Sequence, residues 1–159
     1  DGDESDWMRV TSLMAGKERG MYFIPEINDE VLVAFINADI NYPIVIGSLW
    51  SQSDMPPQSN NEENNIRKIK SKSGHEIIID DSDKGKLELT TSKGQVISLS
   101  DGDNKIKIED SSGSIIELDS SSGDIAIESV GNLSLKAGTN ISIEAGVQLK
   151  LNGSIVNIN

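Results

Sequence analysis

From residue 77 onward the chain alternates apolar and polar positions in short runs that are separated by turn residues. Each run has the form apolar-x-apolar, and ten such pairs recur at steps of 10, 10, 9, 10, 9, 8, 8, 8 and 7 residues. Strict alternation predicts β-strands with one buried face and one hydrated face. The pairs are Ile77/Ile79, Leu87/Leu89, Ile97/Leu99, Ile106/Ile108, Ile116/Leu118, Ile125/Ile127, Leu133/Leu135, Ile141/Ile143, Leu149/Leu151 and Val156/Ile158.

A glycine accompanies every step of this ladder, from Gly74 before the first pair to Gly153 before the last. Glycine adopts the positive φ angle that a tight corner requires. A short period with a glycine at each corner predicts a solenoid or a stacked prism. Proline is absent after Pro57, as expected if every later segment donates its backbone N–H groups to a continuous ladder.

The ladder predicts an assembly of three interwound chains. A strand with two inward aliphatic residues buries too little surface to offset its own ordering entropy, and a single chain wound over three faces would form only about three open-ended coils. With three chains, each face receives strands from all three in rotation, so every inter-strand hydrogen bond joins different chains. The needle would be about 50 Å long. The first nine pairs, from Ile77/Ile79 to Leu149/Leu151, are the predicted trimer core.

The first fifty residues have a different character, because they contain all the aromatic residues of the chain. Residues 7–13, 20–24, 30–37 and 43–50 are strand candidates, and no helical period competes with them. Four strands are few for a closed barrel and would leave an edge exposed. Residues 51–65 lack a strand pattern and predict a linker. The predicted domains are therefore 1–50, 51–65 and 66–159, with a further part expected upstream of the abrupt acidic start.

The charge of the chain narrows the classes of partner. A formal net charge of −12 argues against nucleic acid or an anionic membrane as a partner, because phosphates need a basic surface. The longest basic cluster, residues 67–72, is predicted to be a solvated collar, with a docking contact as the alternative. No run of eighteen apolar residues is present, so the sequence predicts no membrane-spanning segment.

The sequence favours a protein without catalytic, cofactor or metal sites. His75 is the only histidine, so one chain cannot form a Ser-His-Asp triad or a paired-histidine zinc site. Three symmetry-related His75 side chains could share a metal on an axis, although a surface cap is favoured. The loop that starts at Asp101 lacks the glycine at the sixth position and the glutamate at the twelfth position of an EF-hand loop, so residues 101–104 predict a turn. A ladder of Ser, Gly and short aliphatic residues offers no cleft for a pair of hydrolytic carboxylates.

Several motifs in a fixed order resemble one known family. The chain is similar to the VgrG spike proteins of contractile injection systems, whose relatives include the cell-puncturing spikes of contractile phage tails. The similarity covers roughly residues 6–159. The matching motifs are Trp7-x-Arg9-Val10, Ala15-Gly16-Lys17, Phe23-Ile24-Pro25, Glu30-Val31-x-Val33-x-Phe35, Asp39 followed by Pro43-Ile44-Val45-Ile46-Gly47, and the segment SGHEIIIDD before the aliphatic ladder.

The resemblance implies an all-β protein: an OB-fold module over residues 1–50, a linker, and an interwound trimeric triple-stranded β-helix over about 66–159. It also implies that upstream hub domains, which contact the inner tube and the baseplate, are missing from this chain. Family members lie at the tip of the inner tube, and many carry a conical PAAR-repeat protein on the C-terminal end. Some relatives carry a lysozyme domain or a toxin, and this chain has neither.

The predicted function is a structural spike that a contractile injection system or phage-like tail drives through a target envelope, with only transient mechanical contact with the membrane. Such a spike would be assembled in the bacterial cytoplasm and then secreted. A prism that stops exposes unpaired backbone groups, so the uncharged last segment is predicted to bind the PAAR-type tip. The alternative is a trimeric fibre or adhesin stalk that binds a receptor or a carbohydrate. The predicted tip interface is Ile155, Val156, Asn157, Ile158 and Asn159.

Overall fold

The computed structural model describes residues 7–158, in which short strands are joined by turns. The prediction of an all-β protein is confirmed. The chain divides into two compact units, one up to residue 64 and one from residue 65 onward. The finer division into 1–50, 51–65 and 66–159 stays a prediction.

The first unit contains an open three-stranded sheet and a separate hairpin. The strands are β1 (Arg9–Val10), β2 (Ala15–Gly16), β3 (Arg19–Gly20), β4 (Glu30–Phe35) and β5 (Pro43–Leu49). The sheet has the order β1-β5-β4, with β1 parallel to β5 and β5 antiparallel to β4. A bulge interrupts the β4–β5 register between Leu32 and Val33. Strands β1 and β4 form the open edges, as expected for so few strands.

The predicted strands of this unit are too long at several ends. The candidate at 7–13 contains only the two residues of β1, and the candidate at 20–24 contributes only Gly20, at the end of β3. Strand β4 ends at Phe35 because a 3₁₀ turn follows at Ile36–Ala38. Asp39 fixes this turn: its backbone N–H donates to the Ile36 carbonyl, and its carboxylate accepts the N–H of Asn41 at 3.0 Å. Side-chain hydrogen bonds of this kind end a strand locally.

The second unit begins with a seven-stranded sheet in which every strand pairs with its neighbours in sequence. The strands are β6 (Ile66–Lys70), β7 (Glu76–Asp80), β8 (Lys86–Thr90), β9 (Val96–Ser100), β10 (Lys105–Glu109), β11 (Ile115–Asp119) and β12 (Asp124–Glu128). All six pairings are antiparallel, and the order runs from β6 to β12 without a crossover. The predicted pairs from Ile77/Ile79 to Ile125/Ile127 lie in strands β7–β12.

This meander corrects one part of the sequence prediction. The prediction that every inter-strand hydrogen bond joins different chains is wrong for residues 66–128, because those strands pair within one chain. The physical reason lies in the linkers, which contain four or five residues and reverse the chain direction. A reversal between short strands returns the chain to the edge that it has just left.

Each of the six linkers is closed by a side-chain oxygen that accepts a backbone N–H of the same turn. Asp110 accepts the N–H groups of Ser112 and Ser114 at 2.8 and 2.9 Å, and Asp119 accepts that of Ser121 at 2.9 Å. Such bonds stabilise a turn independently of the strands. The donor–acceptor pairs of the other four turns are His75–Ser71, Ser82–Asp80, Gln95–Thr91 and Asp103–Ser100.

The corner glycines follow the prediction in five of these six turns. Five glycines have positive φ angles between 25° and 96°. Gly102 does not, and Asn104 takes the left-handed conformation at that corner with φ 54°. Gly102 is needed for a different reason, since a Cβ at this position would lie 2.9 Å from the Lys84 carbonyl oxygen. The five positive-φ positions are Gly74, Gly85, Gly94, Gly113 and Gly123.

The segment from Ser129 to Ile158 contains no strand, although its four apolar pairs continue the pattern. The strands predicted around Leu133, Ile141, Leu149 and Val156 are therefore not formed within one chain. Over residues 7–158, no helix combines the length and the apolar character of a membrane span.

Candidate functional site: an aliphatic sheet face

The register of the meander aligns the aliphatic residues into two columns on one face of the sheet. Antiparallel pairing places Ile77 opposite Leu89 and Leu89 opposite Ile97, and the same alignment continues through β12. The first column is Ile69, Ile77, Leu89, Ile97, Ile108, Ile116 and Ile127, and the second is Ile79, Leu87, Leu99, Ile106, Leu118 and Ile125. We call these thirteen residues the aliphatic face.

Within one chain the aliphatic face is the more exposed face of the sheet. From β7 to β11 the burial alternates strictly, and the aliphatic positions are the exposed ones. Ile97, in the middle of the sheet, remains 43% exposed, and Ile125 on the last strand remains 69% exposed. An apolar face this large requires a cover, because contiguous exposed patches mark interaction surfaces.

The opposite face is polar and satisfies its own charges. The Lys105 ammonium lies 2.7 Å from Glu117 and 3.7 Å from Asp119 on the next strand. The hydrogen bond to Glu117, followed by the attraction of both carboxylates, raises the pKa of Lys105 above its ordinary value. Lys86–Glu88 and Lys107–Glu109 form two further ion pairs. A sheet with one apolar face and one charged face is typical of antiparallel strands that are hydrated on one side.

Three turn aspartates have pKa values below the ordinary range for the same physical reason. Asp80, Asp110 and Asp119 each accept hydrogen bonds from a serine within their turn, which favours the charged form. The serine partners, in order, are Ser82, Ser112 and Ser121. These carboxylates hold the corners of the sheet, and their environment indicates structural rather than catalytic use.

The basic cluster at residues 67–72 covers most of β6 and the start of the turn that follows, and its strand residues form ion pairs within the chain. Arg67 contacts Asp81 at 3.0 Å, while Lys68 and Lys70 contact Glu76 at 3.2 and 2.9 Å. Hydrogen bonds from Lys70 and then Lys68 lower the pKa of Glu76. Arg67 lies opposite Ile79, so it occupies the first position of the second column. These contacts favour the solvated collar over a docking contact.

The only histidine connects two stacked turns. The N–H of Ser92 donates to His75 Nδ1 at 3.3 Å, which joins the β6–β7 turn to the β8–β9 turn. Across residues 7–158, which include the turn at Asp101, no three His, Asp or Glu side chains are grouped so that they could share a metal ion.

The sequence did not assign several apolar residues that the structure locates. Ile69 joins the first column although the predicted ladder starts only at Ile77, and its signal is the alternation with Arg67 in β6. Ile78, Val96 and Ile115 lie on the polar face, since each is offset by one residue from an aliphatic-face position. Counting positions in steps of two from the paired residues would have placed all three correctly.

The predicted core residues after Glu128 are not brought together by one chain. These six residues remain between 53% and 65% exposed, and they are Leu133, Leu135, Ile141, Ile143, Leu149 and Leu151.

The residues of the predicted tip interface are exposed as well. Ile155 and Ile158 are 80% and 84% exposed, and Asn159 lies outside the described residues.

Comparison with known proteins supplies the family context of these two units. Residues 1–50 match the model of the type VI secretion system/phage-baseplate injector OB domain. The chain is 33% identical over 81 residues to the type VI secretion system spike protein VgrG2a of Pseudomonas aeruginosa. This match covers 48% of this chain and 10% of that protein. The resemblance to VgrG spike proteins is confirmed.

Two further VgrG relatives match over a shorter part of the chain. The spike protein VgrG1c of P. aeruginosa is 38% identical over 55 residues, and the actin cross-linking toxin VgrG1 of Vibrio cholerae is 40% identical over 53 residues. These matches cover 35% and 33% of this chain, and 8% and 5% of the relatives. The matched parts of the chain therefore span a tenth or less of the length of these VgrG proteins.

Proposed function

We propose that this chain is part of a homotrimeric VgrG-type spike whose role is mechanical. One observation carries the proposal: the aliphatic face forms two unbroken columns that one chain leaves exposed, while the opposite face satisfies its own charges. Three copies that turn their aliphatic faces toward a common axis would form a triangular prism with a dry core and a charged exterior. The similarity to type VI spike proteins supports three copies over a two-sheet sandwich.

The charged exterior determines how such a prism would act on a membrane. Lys, Asp and Glu side chains along strands β7–β11 make spontaneous entry into lipid unfavourable. Penetration must then be driven by the injection machine, and the chain contributes stiffness because each sheet is paired throughout and covered by two others. The spike would be assembled in the cytoplasm, attached to the tube and baseplate through its hub, and released with the particle. This function requires no catalytic residue or cofactor.

The trimer is tested by measuring the mass of the chain in solution. We expect three copies by sedimentation equilibrium at micromolar concentration, because the aliphatic face requires a cover. A stable single copy with a folded sheet would overturn the proposal. Two copies would instead indicate a sandwich of two sheets.

The resemblance also supports a PAAR-type tip protein bound through residues 155–159. The exposed apolar side chains of Ile155, Val156 and Ile158 provide apolar contact area. We expect co-purification of a PAAR-repeat protein from the same gene cluster with the trimer, and loss of at least nine-tenths of the bound partner when the chain ends at Gly146. Undiminished binding after this truncation would place the partner elsewhere on the spike.

A further inference from the structure

The turns of the meander form two rows, one along each edge of the sheet. Residues 71–75, 91–95 and 110–114 make the first edge, and residues 81–85, 101–104 and 120–123 make the second edge. First-edge turns follow β6, β8 and β10, whereas second-edge turns follow β7, β9 and β11. The two sets of turns therefore alternate in height along the stack of strands, with a step of one strand spacing, about 4.8 Å.

The two edges differ in charge over their first two turns. The first-edge turns carry Lys72 and Lys93 and no acidic residue, whereas the second-edge turns carry four aspartates and one lysine. The Lys93 side chain is exposed and forms no ion pair within residues 7–158. A single chain thus leaves the Lys93 ammonium without a counter-charge in the described residues.

A hollow in the second edge lies between its first two turns. It has a volume of about 410 Å³, and Leu87 and Leu99 of the aliphatic face supply part of its lining. The one cationic group of the lining, Lys86, is paired with Glu88 at 3.0 Å. Such a hollow suits a lysine, whose methylene stem packs on apolar surface while its ammonium binds a carboxylate. The carboxylates of the lining are those of Asp80, Asp81 and Asp101.

Three-fold symmetry brings the two kinds of edge together. In a closed ring of three identical sheets, every corner joins the first edge of one copy to the second edge of the next. Because the symmetry includes no shift along the axis, turn 91–95 of one copy reaches a height between turns 81–85 and 101–104 of its neighbour. The hollow lies between those same two turns.

We propose that Lys93 of one copy enters the hollow of the next copy and pairs with Asp101 there, so that an ion pair closes each corner of the prism. This inference rests on the trimer proposed above. The stem of Lys93 would cover Leu87 and Leu99 where the aliphatic face meets the corner. A tilt of the strands in either direction still places the ammonium near a carboxylate, because the turns on both sides of the hollow contain aspartate.

The same charges select the relative direction of the copies. An inverted copy would bring two second edges together at a corner and place aspartates against aspartates. Like charges across an interface suppress the wrong arrangement. The corner contact therefore favours copies that point in the same direction along the axis.

A carbodiimide, which couples an amine to a carboxylate in direct contact, tests this pairing. Within one chain Lys93 and Asp101 lie at opposite ends of β9, a five-residue strand about 17 Å long, so their side chains cannot meet. We expect the full chain to give the Lys93–Asp101 cross-link by peptide mass spectrometry, with two- and three-chain species on a denaturing gel. The Lys105–Glu117 pair, at 2.7 Å within one chain, is the internal control.

The outcomes separate this inference from the trimer itself. Lys93→Arg retains the charge but provides no amine for coupling, so it should stay trimeric with an unchanged Tm and lose this cross-link. A trimer that gives the Lys105–Glu117 cross-link without the Lys93–Asp101 one would overturn the corner contact and leave the trimer standing. A single-copy mass for the original chain would overturn the trimer.

Exchanging the two charges gives a second measurement. We expect Lys93→Asp to lower the Tm of the trimer by a few degrees, because three new carboxylates then face the aspartates of neighbouring copies. Adding Asp101→Lys should restore most of the Tm. Salt at about 1 M should reduce the difference between Lys93→Asp and the original chain, because corner charges are screened.

The matched control is Lys84→Asp, which makes the same change of net charge in a turn of the second edge. Lys84 is also exposed and forms no ion pair within the described residues, and its removal takes away a cation next to the proposed position of Lys93. We expect a smaller loss of Tm than for Lys93→Asp. An equal loss in the two variants, or a double variant no more stable than Lys93→Asp alone, would overturn the pairing.

Discussion

Ile97→Asp should abolish the trimer. Ile97 lies in the middle of the first column, between Leu89 and Ile108, so three copies would bring three carboxylates to the dry axis. Each uncompensated buried charge costs several kcal/mol, and three of them would consume most of the roughly 5–15 kcal/mol that stabilises a folded domain. Sedimentation should show single copies or aggregates, with loss of the cooperative thermal transition.

The matched control is Ser98→Asp, one residue further along β9. Ser98 lies on the polar face opposite Glu88 and Lys107, where a new carboxylate remains hydrated and meets a lysine. Its Tm should stay within a few degrees of the original chain. If both variants remained trimeric with equal Tm, the aliphatic face would not be the core, and the proposed prism would be wrong.

The sequence was sufficient to predict which residues form the aliphatic face, but not which chain supplies the neighbour of each strand. A strand that repeats apolar-x-apolar has only one apolar face, and regular turns then stack successive pairs such as Leu87/Leu89 and Ile97/Leu99 in register. That argument holds whether the neighbouring strand comes from the same chain or from another. Periodicity therefore located six of the seven strands of the meander while leaving open which chain supplies each neighbour.

The information that decides the pairing lies in the turns. Asp80, Asp110 and Asp119 close their linkers by accepting backbone N–H groups, and this local chemistry favours a reversal within one chain. The glycine at each corner indicates a change of direction but does not show whether the chain reverses there. In the first unit the same kind of signal, Asp39 accepting the Asn41 N–H, ended β4 two residues before the predicted boundary.

The family match covers the unit whose fold the sequence described least precisely. Only Val45 is buried among the described residues of both units, and aromatic side chains such as Trp7 and Tyr22 are largely exposed. Short strands without a closed core give weak periodic signals, which explains why the boundaries there were wrong. The second unit has the stronger pattern, and the single chain leaves its apolar face without a cover.

Ser134→Pro should distinguish a loop from the strand that the apolar pair Leu133/Leu135 predicts. In one chain Ser134 lies in a segment without strands, so proline would be harmless if that segment stayed a loop. If the segment instead forms a strand in the trimer, as its apolar pair Leu133/Leu135 predicts, proline removes a ladder donor and disrupts the neighbouring pairing. An acceptor left unpaired costs about 1–3 kcal/mol, and each trimer carries three substitutions. We expect a Tm lower by 10 °C or more, a shift of roughly the size that such a loss implies.

Asp83→Pro is the control for this substitution. The Gly85 N–H donates to the Ser82 carbonyl at 2.8 Å, so Asp83 is the second residue of a turn, where proline is favoured. Thermal unfolding of the two variants at equal concentration should show a large loss for Ser134→Pro and little change for Asp83→Pro. Equal Tm values would mean that residues 132–136 are not part of a paired sheet.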